Sequence, residues 1–193
     1  MNIGDQIKLF GLNNLSIEAA IRETEKRIGI SFRQSMPIIE TKDEEYYPQF
    51  PEHVRREAES MARHYEIFYC LETSIRQLIA ERLKEEIGED WWDNAVPEQI
   101  RKNAEDNRKR ESATGMTPRS DNKIDFTTFG ELGQIIGANA DIFSDTFRDL
   151  KAVSRILSSL NSLRAPIAHC CPLAEDEVGR LHINLKDWFR QMG

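Results

Sequence analysis

The sequence lacks the features that mark membrane proteins, disulfide-rich secreted proteins and phosphate-loop enzymes. It has no apolar run of about 18 residues and no signal-peptide pattern, so we expect a cytoplasmic protein that makes no use of a membrane. Its three cysteines, two of them adjacent, make no disulfide framework, which favours a reducing compartment. A glycine-rich phosphate loop and a dinucleotide-binding fingerprint are also missing, so no cofactor is predicted.

Positive charge is scarce as well. Lys and Arg number 26 against 33 Asp and Glu, which gives a formal net charge of −7. This balance argues against tight, non-specific nucleic-acid binding over the whole surface, but it leaves room for a local basic cleft. Residues 101–123 are the one locally basic stretch, and we interpret Arg101, Arg108 and Arg119 either as a solvated face or as contacts to an RNA backbone.

A metal site is not predicted. His169, Cys170, Cys171 and His182 carry atoms that bind zinc, but adjacent cysteines rarely chelate one ion well and the usual zinc spacings are absent. We interpret Cys170 and Cys171 instead as small, buried apolar residues.

Helical periodicity is the strongest signal that the sequence does contain. Apolar residues recur at steps of three and four, no segment alternates at period two for long, and no internal repeat is evident. We therefore predict an all-α fold, an antiparallel helical bundle over residues 51–193. Residues 1–50 are predicted to form a small N-terminal helical extension and an acidic linker, without an assigned role.

Capping residues, glycines and prolines predict the helix ends. The longest helix runs from Glu52 to Ile87 and is closed by Gly88. Trp91 and Trp92 follow, either as a locked corner between helices or as a base-stacking pair. The other predicted helices run from Pro97 to about Glu111, from the Thr128–Glu131 capping box to Gly137, from Asn139 to the region of Arg164, and from Pro172 onward.

Two charged residues stand in apolar helical stripes. The later stripe reaches Arg164 after these residues: Phe147, Leu150, Val153, Leu157 and Leu160. Glu72 interrupts the earlier stripe, which has these members: Val54, Ala58, Met61, Tyr65, Phe68, Ile75 and Ile79. A charge where a core residue is expected needs a partner or a task.

Arg164 and His169 lie five positions apart at the end of the later helix. A permanent cation and a side chain that titrates near neutrality suit phosphate chemistry. On an unbroken helix the two side chains would point about 140° apart. Pro166 lies between them, so we predict a kink or a restart of the helix that brings both side chains into one cleft.

An Arg-x4-His motif that ends a long helix, followed by Pro172-Leu173 and an amphipathic helix, resembles the HEPN superfamily of all-α proteins. Residues 65–78 (Tyr-Glu-Ile-Phe-Tyr-Cys-Leu-Glu-Thr-Ser-Ile-Arg-Gln-Leu) and 124–136 (Ile-Asp-Phe-Thr-Thr-Phe-Gly-Glu-Leu-Gly-Gln-Ile-Ile) are similar to its abortive-infection and Swt-type branches. The resemblance implies a metal-independent endoribonuclease of toxin–antitoxin or antiviral-defence type. The alternative is an inactive module for dimerisation or for binding a partner or nucleotide.

The resemblance also implies a role for each site residue. Arg164 would stabilise charge on the phosphate and His169 would transfer protons, in a site formed across a homodimer with RNA as the substrate. Glu72 is the best match to an acidic residue near the active-site arginine. We interpret Glu72 either as an ion-pair partner that orients Arg164 or as a residue on the solvated edge of its stripe. An antitoxin or a defence-system protein is a further implied partner.

One position departs from the family pattern. The residue after the arginine is typically polar, most often asparagine, and here it is Ala165. The change is compatible with a weakened enzyme, an inert member or an engineered substitution, so enzymatic activity is left open. Asn161, one helical turn before Arg164, is interpreted either as a substitute polar group or as a simple surface residue.

Overall fold

The computed structural model describes residues 47–115 and 117–192, which form helices, turns and one isolated bridge. The predicted all-α bundle is confirmed. The α-helices, in chain order, are α1 (Glu52–Ile87), α2 (Trp91–Ala95), α3 (Glu98–Ser112), α4 (Phe129–Ala138), α5 (Ala140–Phe143), α6 (Leu150–Ala168) and α7 (Glu175–Gln191). Single turns of 3-10 helix occupy Tyr47–Gln49 and Lys123–Phe126.

The chain divides into two units, Met1–Pro51 and Glu52–Gly193. Apart from the turn at Tyr47–Gln49, the predicted N-terminal extension over residues 1–50 lies outside the described residues. Within 47–115 and 117–192, no helix is long and apolar enough to span a lipid bilayer.

The long helix α1 has the predicted ends, but only its C-terminal part belongs to the core. Gly88 follows it with φ of +95°, a left-handed conformation that glycine adopts without strain. The buried residues of α1 are Phe68, Leu71, Ile75, Ile79 and Leu83. The stripe predicted before Phe68 is wrong, since Val54 and Tyr65 are 44% and 61% exposed. Val54 and Tyr65 lie on the same side of α1 as the buried Leu83. They are exposed because the other helices pack against the C-terminal part of α1, and periodicity does not show where along a helix such packing occurs.

Helix α6 packs against α1, α4 and α7. Val153, Leu157 and Leu160 are buried on it, as the stripe predicts. Gly133 of α4 lets the two helices approach closely, since a β-carbon there would lie 3.4 Å from Leu157 Cδ1. The core thus holds α6 firmly up to the turn that carries Arg164.

The start of α6 differs from the prediction. The sequence predicts a continuous helix from Asn139, but the chain forms the short α5 and then begins α6 at Leu150. Asp149 is the N-cap, and its side chain accepts a hydrogen bond of 2.8 Å from the Lys151 backbone N–H. Phe147 forms a backbone bridge with Met192, which draws the segment away from helical geometry.

The end of α6 also differs from the prediction. The helix neither stops nor restarts at Pro166 but continues to Ala168, because a proline in the last turn removes only one hydrogen bond. A Schellman-type cap ends it, in which Cys171 N–H donates to Pro166 O (2.8 Å) and Cys170 N–H donates to Ile167 O (3.2 Å). Cys170 has φ of +56°. Both cysteines are exposed, which corrects their predicted burial.

The remaining helices follow the predicted signals with small shifts. The Thr128–Glu131 capping box is present, and α4 ends at Ala138, one residue beyond the predicted Gly137. Helix α7 begins at Glu175 instead of Pro172. Such shifts of a few residues are usual where the helix ends depend on local turn geometry.

Candidate active site

Two core helices bring Glu72 and Arg164 together, although the residues are 92 positions apart in sequence. Arg164 Nε–H donates to Glu72 Oε2 over 3.0 Å. The Glu72 side chain is 12% exposed and the Arg164 side chain 37% exposed. Glu72 therefore forms an ion pair with Arg164 and does not lie on the solvated edge of its stripe.

Arg76 is a third member of this cluster, and sequence reasoning missed it. Its Nη2 contacts the second carboxylate oxygen of Glu72 and also donates to Thr127 O over 3.0 Å. The Arg76 side chain is 18% exposed, and its Nε is buried without a partner among the described residues. The Glu-to-Arg spacing of four on one helix was the available signal, since such pairs face each other.

The cluster carries an excess of positive charge. One carboxylate, that of Glu72, neutralises only one of the two guanidinium groups of Arg76 and Arg164. Arg164 uses Nε for Glu72, and within the described residues its two terminal nitrogens have no acceptor. A guanidinium held in this way presents two parallel N–H donors, the geometry that matches two oxygens of a phosphate.

Asn161 lies on the same face of α6, one turn before Arg164. Its amide rests on Gly130 of α4, where a β-carbon would lie 3.4 Å from Asn161 Nδ2. The first turn of α4 is held by its capping box, and Glu131, only 7% exposed, accepts a hydrogen bond of 2.7 Å from Asn103 Nδ2. The Asn161 amide is therefore steadied by packing, although the residue is exposed.

His169 is the C-cap of α6 and is exposed. Its backbone N–H donates to Ala165 O and Pro166 O, both over 3.1 Å. Its imidazole has no hydrogen bond or ion pair to Arg164 or to any other part of residues 47–115 and 117–192. Because α6 continues past Pro166, regular helical geometry separates the two side chains by roughly 140° around its axis. The predicted restart of the helix at Pro166 does not occur.

The three arginines predicted to contact RNA have different environments. Arg101 Nε donates to Val96 O (3.1 Å), and its Nη1 lies 3.6 Å from Asp93 Oδ1. Arg119 is paired with Glu111 (2.6 Å) and lies over the Phe126 ring. The hydrogen bond from the Arg119 backbone N–H, with a smaller contribution from its side chain, lowers the pKa of Glu111.

Arg108 differs from these two, since it has no carboxylate partner among the described residues. It lines a cleft of about 170 Å³ between α3 and the turn Lys123–Phe126, together with Arg101. Glu105 and Asp93 line the same cleft, so its charge is mixed. The RNA contacts of Arg101, Arg108 and Arg119 stay predictions, and internal ion pairs reduce the charge that Arg101 and Arg119 can offer.

Comparison with known proteins relates the part of the chain that contains this site to a known family. A family model described as Swt1-like HEPN matches residues 66–193, a range that includes Glu72, Arg164 and His169. Neither the curated proteins nor the solved structures contain a match to this chain. Because this match covers more than half of the chain, the chain belongs to the Swt1-like HEPN family.

Proposed function

We propose that this protein is a metal-independent endoribonuclease of toxin or phage-defence type, acting as a homodimer. The observation that carries the proposal is the hydrogen bonding of the Arg164 guanidinium. Glu72 holds its guanidinium through Nε, and the two terminal nitrogens remain available for a phosphate group. A purely structural ion pair would have no need of the excess positive charge that Arg76 adds to the cluster.

The chemistry needs only the groups that the chain supplies. The ribose 2′-oxygen attacks the adjacent phosphorus, the bond from phosphorus to the 5′-oxygen breaks, and the products are a 2′,3′-cyclic phosphate and a 5′-hydroxyl. A neutral His169 accepts the 2′-proton, and a protonated His169 donates a proton to the leaving 5′-oxygen. Arg164 stabilises the negative charge that develops on the phosphate.

In a homodimer, Arg164 of one chain could lie opposite His169 of the other, although the two side chains are apart within one chain. The two side chains point in different directions from α6, and His169 is exposed without a partner in the described part of its own chain. A second copy related by a two-fold axis would place its His169 opposite Arg164, so that one site has two arginines and two histidines. Asn161 and Glu72 would support Arg164 from each side.

The alternative function is an inactive HEPN module that dimerises or binds a partner or nucleotide, such as an antitoxin or a defence-system protein. Ala165 favours this alternative, because it is exposed on the last turn of α6 and its methyl group donates no hydrogen bond. In that case Arg164 and Glu72 would serve the stability of the bundle.

Expression in a bacterial host and cleavage of RNA in the presence of a chelator test the two functions. His169→Ala should relieve growth arrest and lower the cleavage rate by about 10²-fold or more. His182→Ala is the matched control, since His182 is an exposed histidine on α7. Equal tolerance of all versions, with no cleavage of RNA by the unsubstituted protein, would favour the inactive module. Ala165→Asn in the same assays shows whether this position limits the activity.

A further inference from the structure

The first half of α1 carries an apolar stripe that the described part of the bundle leaves mostly exposed. The members of the stripe are Val54, Ala58, Met61, Tyr65 and Tyr69. Val54 is 44% exposed, and Tyr65 and Tyr69 are 61% and 62% exposed. The two tyrosine rings are neighbours, with centroids 6.3 Å apart. A contiguous apolar surface of this kind marks an interaction site more often than scattered apolar residues do.

The spacing of the stripe fits a second helix that lies along it. Its members from Val54 to Tyr65 follow one another at steps of four, three and four, and they lie within an arc of about 60° on α1. Phe68 continues this series and is buried against Phe129 of α4. A narrow stripe with this period is the seam at which two helices pack along each other. The stripe extends roughly 22 Å along the axis, from Val54 to Tyr69.

We infer that this stripe packs against the same stripe of a second copy of the chain. The inference rests on the homodimer of the proposed function, and it names the surface through which the two copies meet. A two-fold axis brings a patch against its own copy, so the patch has to be compatible with itself. Tyr69 lies about 4.5 Å before Glu72 along the axis of α1. A copy that covers the stripe therefore lies beside the carboxylate that holds Arg164.

The charge around the stripe favours a second copy over a nucleic acid. From Glu52 to Tyr69 the helix has four glutamates and three arginines, and it has no lysine or aspartate. An anionic RNA backbone needs an excess of positive charge, which this segment lacks. Charges of both signs in nearly equal number allow a surface to meet its own copy, because each sign can face the other across the two-fold axis.

The area of the stripe corresponds to the apolar part of a stable dimer interface. Two tyrosines that are about 60% exposed offer on the order of 300 Å². The three aliphatic members bring the stripe to roughly 450 Å². An interface of standard size takes about 800 Å² from each partner, and roughly 55–65% of that area is apolar. The stripe thus supplies the apolar part, and the polar side chains beside it supply the remainder.

Sedimentation of the protein without RNA tests this surface independently of catalysis. The unsubstituted chain should be a dimer at about 10 µM. Tyr65→Asp should raise the dissociation constant of the dimer by about 30-fold or more, because it buries an unpaired carboxylate from each copy. Val54→Asp, about 16 Å away along α1, should act in the same direction. Tyr65→Phe should keep the constant within about threefold, since the ring remains.

Phe189→Asp is the matched control, because Phe189 on α7 is also 62% exposed but lies outside the stripe. Circular dichroism at the same concentration checks that each variant keeps its helices. A monomeric unsubstituted chain, a dimer that Tyr65→Asp leaves intact, or an equal loss in Phe189→Asp would overturn the inference. Weaker RNA binding by Tyr65→Asp with an unchanged dimer would overturn it too and assign the stripe to RNA. A dimer that depends on the stripe but cleaves no RNA would refute the endoribonuclease and leave the interface standing.

Discussion

The Glu72 carboxylate lies between two guanidinium groups, and both of its oxygens are engaged. A carboxylate shared in this way cannot rotate, so the direction of Arg164 is set by residues on another helix. Removal of one member would leave the others partly buried and unpaired, which is costly in proteins. Arg76 thus contributes to the site through Glu72, whose second carboxylate oxygen it contacts.

Arg76→Gln should therefore lower RNA cleavage at least tenfold, because Glu72 loses one of its two anchors and Arg164 loses its orientation. Arg82→Gln is a matched control on the same helix. Arg82 is 23% exposed, pairs with Glu85 and Glu86, and donates to a backbone carbonyl, as Arg76 does. Both changes should lower the free energy of unfolding by about 1–2 kcal/mol. Cleavage rates and urea unfolding measure the two effects, and equal cleavage by the two variants would contradict the role of Arg76.

Cys170 lies in a left-handed conformation that glycine adopts with less strain, with φ of +56°. Cys170→Gly should raise the free energy of unfolding by about 0.5–1 kcal/mol, since it relieves the strain at the end of α6. Cys171→Gly is the control, because Cys171 does not have a positive φ and should gain no stability. Urea unfolding of the two variants measures the difference, and a stabilisation by Cys171→Gly of the same size would refute the explanation.

Among the helices, α1 combines three tasks along its length. Its C-terminal part supplies core residues, its middle carries Glu72 and Arg76, and the segment before Phe68 presents Tyr65 to solvent. The helix also approaches α7, so that His64 of α1 is a neighbour of His182 of α7. Burial, and to a smaller extent the charge of His182, lower the pKa of His64 below its ordinary value of 6.5.

This lowered pKa makes the contact between α1 and α7 sensitive to acid. Well above pH 6.5 His64 is neutral in both the folded and the unfolded chain, so it leaves the stability unchanged. As the pH falls below this value, the unfolded chain binds a proton at His64 before the folded chain does, and the free energy of unfolding decreases. His64→Gln should reduce the loss of thermal stability between pH 7 and 5. His53→Gln, at an exposed histidine of the same helix, should leave that loss unchanged.

Taken together, the helices present Arg164 and His169 in different directions from the end of α6. The proposed activity therefore depends on two copies of the chain. Arg164→Ala and His169→Ala should each be inactive alone. A mixture that has exchanged subunits should regain cleavage, because a mixed dimer joins an intact arginine to an intact histidine. Sedimentation of the mixture checks that dimers form. Full activity of a monomeric preparation would contradict a shared site.

The predicted elements agree with the structure where neighbours in sequence set the geometry. The ends of α1, the polar helix α3 and the capping box at Thr128 all depend on residues within one or two turns. The failures have a different origin. Phe147 leaves helical geometry because it pairs with Met192, and Tyr65 is exposed because no described helix covers that part of α1.

The candidate site shows the same division. Periodicity and the family motif were enough to single out Glu72, Arg164 and His169, since a charge in an apolar stripe is visible in the order of residues. The shared carboxylate, the part taken by Arg76 and the exposed ring of Tyr69 beside it were not visible there. They depend on how α1 and α6 cross and on which surfaces other helices cover, and contacts between distant parts of the chain set both.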